Sequence, residues 1–188
     1  MDPQHSMIDF HPDYTLASIS ESAFQQLIKE RSGLYFSASS ALDVEAGLSD
    51  SERACIADRR EQFTDLTSTY WAIEHSVDVV GWMHLQQTDP DTLTMRNTAI
   101  DPAHRGRGIY TALLDVVINH ARANGYQRIT STHHASNNAI IIPKLKAGFI
   151  ITGLQINEKY GAMVALTYYM YEGRLRCAQE RIGHVPAR

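Results

Sequence analysis

The chain has 188 residues, 44% of them hydrophobic, and a formal net charge of −4. That is enough apolar material for one sizeable α/β domain, and the acidic balance argues against a dedicated nucleic-acid binder. No apolar run approaches the roughly 18 to 20 residues that cross a bilayer, which speaks against a membrane-spanning helix.

The opening, "MDPQHSMIDFHPDYTL", has neither a basic n-region nor an apolar h-region and does not read as a signal peptide. Residues 1–12 read as a loose lead-in. Cys55 and Cys177 form no metal or redox motif, so the expectation is reduced thiols in a cytoplasmic protein. Tyr14 to Ile19 suggests a first strand. Ser20 and Glu21 then supply capping material for a helix that places Phe24, Leu27 and Ile28 at helical spacing and stops at Gly33. "LSDSERACIADRREQFTDL" (48–66) reads as a second helix, capped by Ser49 or Ser51, with Arg59 and Arg60 on a solvated face.

The composition then turns aromatic and β-branched. "YWAIEH" (70–75), "VVGWMHLQQ" (79–87) and "TLTMRNTAI" (92–100), separated by "SVD" and "TDPD", predict a three-stranded antiparallel meander. Ile109, Ala112, Leu113, Val116, Val117 and Ala121 draw the stripe of a long helix, with Asn124-Gly125 as its stop. "RITSTHH" (128–134) is a strand, and "NNAIIIPKLKAGF" (137–149) a short helix closing at Gly148. "FIITGLQI" (149–156) and "MVALTYYMY" (163–171) complete the set, and the residues from 172 onward show no pattern. The domain is therefore expected over 13–171, with a tail over 172–188.

The informative stretch is "DPAHRGRGIYTALL" (101–114). Two glycines between two arginines stand where a strand ends and a long helix begins. The first turn of such a helix has N–H groups without intrahelical partners and partial positive charge. Glycines let the backbone approach an anion closely, and arginines suit phosphate oxygens. Together they predict a pyrophosphate cradle rather than a plain turn. A Walker A loop is excluded because Gly-Ile-Tyr stands where Gly-Lys-Ser/Thr is needed. A dinucleotide fingerprint fails because Thr111 replaces its third glycine, the preceding strand is polar and belongs to a meander, and the next strand ends in His133-His134 rather than a carboxylate.

The run Arg105-Gly106-Arg107-Gly108-Ile109-Tyr110, introduced by Asp101-Pro102, resembles the cofactor motif of the GNAT N-acetyltransferases, with Tyr110 at a position usually small. "SNNAIIIPKLKAGF" (136–149) is similar to that family's Asn-headed helix ending in Lys-x-Gly-Phe. The resemblance covers about residues 13–171 and implies a GNAT-like α/β fold: a central mixed, mostly antiparallel sheet of about seven strands flanked by about four helices. It implies acetyl-CoA as cosubstrate, lying where strand 92–100 splays from strand 128–134. The pyrophosphate would rest on the backbone of Arg105, Gly106, Arg107, Gly108, Ile109 and Tyr110. The pantetheine would pair with Ala99 and Ile100 and bond to Asn137 or Asn138. An amine, from a small molecule or a peptide, would attack the thioester directly, a backbone N–H near Ile100 steadying the oxyanion. Homodimerisation through the last strands is a further family expectation.

The family's usual strand carboxylate and helix tyrosine are absent. Arg96, Asn97 and Thr98 fill the strand, and Lys144 stands four residues before Gly148, read as either a partner of CoA phosphate or a solvated side chain. Candidate bases are His133 or His134, of which a strand turns at most one into the wedge, with Glu74 and His84 on neighbouring strands. Tyr169, beside Tyr168 and Tyr171, is a candidate proton donor to the thiolate. No metal is expected, because no cysteines or helical histidine pair stand at ligand spacing. Two other readings stay open: a non-catalytic acyl-CoA-binding module, and an acyltransferase using a longer acyl donor or a hydroxyl acceptor.

Overall fold

The computed structural model describes residues 7–36, 49–51, 54 and 67–183. Among them are β1 (Met7–His11), β2 (Tyr14–Ser18), α1 (Glu21–Tyr35), β3 (Ser68–His75), β4 (Asp78–Asp89) and β5 (Thr92–Ile100). There follow α2 (Ile109–Ala123), β6 (Arg128–His134), α3 (Asn138–Lys146), β7 (Ile150–Asn157), β8 (Gly161–Tyr169) and α4 (Glu172–Arg181). The strands form one sheet in the order β1-β2-β3-β4-β5-β6-β8-β7. Every neighbouring pair is antiparallel except β5 with β6.

Three expectations are corrected. The lead-in contributes an eighth strand: Ile8 and Phe10 alternate inward from β1 onto the main core, a pattern masked in sequence by the surrounding His, Pro and Asp. Gly33 does not stop α1, which runs to Tyr35. Tyr35 is buried and stacks on Trp82 with ring centroids 5.0 Å apart, and Arg31 of the last turns bonds to the Val79 carbonyl. Tertiary contact therefore carries the helix past its glycine, whose penalty there is about 1 kcal/mol. The tail forms α4, tethered to the sheet by Arg174–Asp91 at 3.8 Å. Most of the helix expected at 48–66, Arg59 and Arg60 included, lies outside the described residues; residues 50, 51 and 54 are helical.

The two faces of the sheet differ. Ile109, Leu113, Leu114, Val117 and Ala121 of α2, with Ile141 of α3, pack on Leu16, Ile73, Met83, Leu93 and Ile129 to make the main core. On the other face α1 places Phe24 and Tyr35 against Trp82 and Ala99. Side chains fully buried this way each contribute about 1.5–3 kcal/mol.

The sheet is forked. β5 and β6 pair only through Thr92–Arg128, Leu93–Ile129 and Thr94–Thr130. Beyond that β5 stays with β4, and β6 stays with β8 along its whole length. Polar side chains lock the closed end: Arg128 bonds Asp89 at 3.1 Å, Gln127 bonds Asp91 at 2.7 Å, and the Thr94 and Thr130 hydroxyls are 2.8 Å apart.

At the open end Gly81 holds β4 close against β5. A Cβ there would fall inside contact distance of the Ala99 carbonyl oxygen and 2.9 Å from Ile73 Cδ1. Gly81→Ala is therefore expected to lower stability by about 2–4 kcal/mol, because backbone rather than a flexible side chain must give way. Urea unfolding of the two proteins checks this.

Candidate functional site

The loop between β5 and α2 is built to leave N–H groups free. Asp101 turns the chain by accepting from the Ala103 amide at 2.8 Å, and Pro102–His104 make one tight turn. Gly106 and Gly108 then adopt φ of 76° and 82°, the left-handed region that glycine enters without strain. Gly108 is the N-cap of α2 and brings no side chain to satisfy the first turn. The exposed loop thus presents the uncapped, positive end of a 15-residue helix to solvent. Nothing lies within 4 Å of where a Cβ would stand at either glycine, so the cradle is open.

The two arginines are not equivalent. Arg105 donates from Nε to the Ile100 carbonyl at 2.9 Å and from Nη2 to the Tyr35 carbonyl. Its guanidinium thus ties the end of α1 to the end of β5, and its own N–H goes to the Pro102 carbonyl at 3.3 Å. Among the described residues Arg107 reaches only the Ala103 carbonyl, at 3.3 Å, and is exposed, while its own carbonyl meets His11 Nε2 at 3.0 Å. Tyr110 turns its ring into the protein and packs on the main core, so its bulk does not fill the cradle; burial pushes its phenol pKa up.

The loop opens beside the fork. The Asp101 N–H bonds back to the Val80 carbonyl at 2.8 Å. Strand alternation turns the Ala99 backbone the same way, toward β4, and the Ile100 N–H toward the fork. Of this expected pair, Ile100 alone offers its backbone there. Across the fork Asn137 caps α3, and its side chain makes no capping bond; Asn138 is exposed in the first turn.

The candidate catalytic residues are scattered. Glu74 and His84 lie on the α1 face, Glu74 beside Val79 at the hairpin end of β3 and His84 stacked on Tyr70 at 4.6 Å with Nε2 on the Ser68 hydroxyl. Burial, then Arg96, holds His84 below the ordinary imidazole range. Tyr169 pairs with Arg128 at the closed end of the fork, away from the opening, which removes it as the thiolate's proton donor. His134 is fixed at the turn before α3 by Ser136, 2.7 Å from its Nδ1. His133 points the other way, its Nε2 buried with no hydrogen-bond partner among the described residues. Burial, reinforced by the charge of Lys144, pushes its pKa down to about 4, so it is neutral at pH 7.

Lys144 is the largest departure from the sequence reading. It is 0% exposed, neither solvated nor free to meet a phosphate. Its Nζ donates to Ser131 Oγ at 2.6 Å and Met95 Sδ at 3.0 Å, and stands 4.7 Å from the centre of the Phe149 ring. Met95 and Ser131 are the first residues beyond the last β5–β6 pair, so the lysine sits at the vertex of the fork. Burial lowers its pKa to about 7. The signal was present in the helical period, because Lys144 follows the buried Ile141 by three positions. Among the described residues no group of three or more His, Cys, Asp or Glu is placed to hold a metal ion.

A family model described as the acetyltransferase (GNAT) family matches residues 26–149. No curated protein matches. Among solved structures, the chain is similar to yncA, a putative acetyltransferase from Salmonella typhimurium with its cofactor acetyl-CoA. Identity is 19% over 85% of this chain and 95% of that one, with a TM-score of 0.59. A GNAT family acetyltransferase from Elizabethkingia anophelis with acetyl-CoA bound is 16% identical over 85% and 100%, at a TM-score of 0.56. The spermidine/spermine N-acetyltransferase SpeG from Vibrio cholerae is 12% identical over 89% and 99%, at 0.61.

The buried lysine makes stability depend on pH. Its pKa is about 7 folded and near 10.5 unfolded, so between those values the unfolded chain holds the proton more tightly. Its contribution to stability is therefore lost as pH falls toward 7 and gained as pH rises. The urea midpoint is expected to climb from pH 7.5 to 9.5, and to climb less in Lys144→Met. His133 acts in the same sense on the acid side, weakening the fold as pH falls from 6.5 to 4.

Proposed function

Because the chain belongs to the acetyltransferase (GNAT) family by the match over residues 26–149, we propose that it transfers an acetyl group from acetyl-CoA to an amine. One observation carries this reading. An uncapped helix N-terminus, reached through two left-handed glycines, opens directly beside a fork in the sheet. The cradle suits a pyrophosphate and the fork suits a flexible arm with amide groups that pair with an exposed strand edge.

In this reading the backbone from Gly106 to Tyr110 holds the pyrophosphate, and Arg107 adds its charge. The Ile100 N–H, turned into the fork, donates to the arm or to the carbonyl oxygen as it gains charge. Asn137, with its side chain free of a capping duty, donates to the arm from the opposite wall. Acetyl-CoA supplies an activated acyl carbon that an amine attacks without a covalent enzyme intermediate. β5 carries no carboxylate between Thr92 and Ile100, and His133 is held neutral with too low a basicity to deprotonate an ammonium. The amine therefore enters as its free base and sheds its proton to water, so the rate rises with pH toward the amine's own pKa.

The acceptor class is the finer part of the proposal. SpeG is named for spermidine and spermine, and another similar structure, from Salmonella typhimurium, for modifying the N-terminal serine of ribosomal protein L7/L12. Spermidine and a serine-headed peptide are accordingly the first two acceptors to try. The non-catalytic module is the competing reading, favoured by the missing carboxylate; turnover with either amine dismisses it.

Calorimetry with acetyl-CoA, with CoA and NAD alongside, tests the cradle. Acetyl-CoA is expected to bind with a micromolar Kd, about −8 kcal/mol. Gly108→Asp is expected to abolish binding, since a carboxylate enters the cradle. Gly108→Asn, which matches its shape and tolerates the left-handed region, should keep most of it. Wild-type protein that binds no CoA species, or an Asp variant that binds as well as the Asn variant, would sink the reading.

A further inference from the structure

The two glycines that open the cradle also leave its backbone underdetermined. Gly106 and Gly108 both lie in the left-handed region, and glycine moves between regions at little cost, so the peptides between them are free to turn either way. An anion site needs one way only. The carbonyl and the N–H of a trans peptide point in opposite directions, so a loop that offers N–H groups to an anion must have its carbonyls held outward. A group from outside the loop has to hold them.

The β1–β2 hairpin supplies such a group. Its turn is Pro12-Asp13, and the two residues flanking the turn, His11 and Tyr14, both reach the cradle loop. His11 Nε2 lies 3.0 Å from the Arg107 carbonyl, and the Tyr14 hydroxyl lies 3.0 Å from His104 Nδ1. A carbonyl only accepts, so His11 carries its proton on Nε2. Its Nδ1, 3.5 Å from the Asp13 amide nitrogen, is left as the acceptor. The hairpin register explains the aim of the ring. It shifts between Asp9 and His11, and this bulge sends Phe10 onto the main core and brings the His11 ring edge-on to Tyr14, centroids 5.0 Å apart. Ile8, Phe10 and the buried Tyr14 anchor the hairpin in the core, so a fixed element carries the donor.

We propose that His11 is a positioning residue for the cofactor: it fixes the Arg107–Gly108 peptide so that the Gly108 N–H faces the pyrophosphate. The inference rests on the acetyl-CoA reading above. It is carried by a bond from a core-anchored strand to a carbonyl inside the glycine run. With the Arg107 carbonyl turned to the hairpin, the Gly108 N–H of the same peptide is turned away from it. Among the described residues no acceptor meets that N–H, nor those of Ile109, Tyr110 and Thr111, so successive donors are left for an anion. A flip of this peptide would replace one of them with a carbonyl oxygen, which repels phosphate. His11 thus acts through the peptide. The Tyr14–His104 bond ties the loop down before its glycines and leaves this peptide to His11.

The test reads the bond and the binding separately. In the free wild-type protein at about pH 8, 15N shifts of the His11 ring are expected to report the Nε2–H tautomer. The Nδ1–H tautomer would overturn the proposal. With CoA added, the Gly108 amide signal is expected to shift strongly, and an unmoved signal in the CoA-bound protein also overturns it. Neither measurement needs a variant that folds. Two variants then separate shape from donation. His11→Phe keeps a ring against Tyr14 and loses the N–H, whereas His11→Gln places an amide donor where Nε2 stands. By calorimetry the folded Phe variant is expected to bind acetyl-CoA about tenfold more weakly than wild type, and the Gln variant within about threefold of it. The CoA-induced shift of Gly108 should shrink in the Phe variant and persist in the Gln variant. A Phe variant that binds as tightly as wild type, or a Gln variant as weak as Phe, sinks the proposal. If the wild type binds no CoA, the acetyl-CoA reading has failed and the proposal falls with it. If it binds and the variants rank otherwise, the proposal alone has failed.

Discussion

The constraint on which the rest depends is the early end of the one parallel pairing in the sheet. Three residue pairs join β5 to β6, and then the two strands part and no longer pair with each other. Buried polar backbone must find partners, and an unpaired edge is a template for an extended ligand. The closed end is held by Asp89–Arg128, Asp91–Gln127 and the two threonine hydroxyls, and the open end is kept apart by elements that belong to different halves. β4 carries one edge and β8 the other. The fork is thus a consequence of topology, made firm by polar side chains at its root.

Around that fork the two faces of the sheet have different duties. α2 and α3 close one face with the larger core, and they deliver the glycine cradle and the buried lysine from their starts and ends. α1 closes the other with an aromatic layer of Phe24, Tyr35 and Trp82. Arg105, bonded to the Tyr35 and Ile100 carbonyls, ties the end of α1 to β5, and Arg31 ties it to Val79 of β4. The guanidinium of Arg105 is spent on that joint, whereas Arg107, two residues on, stays exposed.

Titration behaviour follows from the same architecture. The vertex is dry because Met95, Phe149 and the core beneath exclude water, and both of its basic groups are pushed toward their neutral forms. Lys144 and His133 share one face of the junction, so the charge of one further depresses the other.

Much of this was legible without coordinates. Alternation and turn residues determined β2 through β8 to within two residues at each end, the helical period determined α2, and the glycine-arginine run determined where an uncapped helix start stands, because each of these is a local consequence of backbone sterics and burial on one side. What the sequence left undecided was everything that depends on which chain segment lies opposite. β1 needed the partner that made its two apolar residues a core strand, and α1 outran its glycine because Tyr35 found Trp82. Arg105 was claimed by two carbonyls brought near from other elements, Tyr169 was carried to the wrong end of the fork, and Lys144 was buried where two strands part. Residue identity determined what chemistry each group can do. Only the tertiary structure decided which of them share a dry space, since that is set by contacts between residues far apart in the chain.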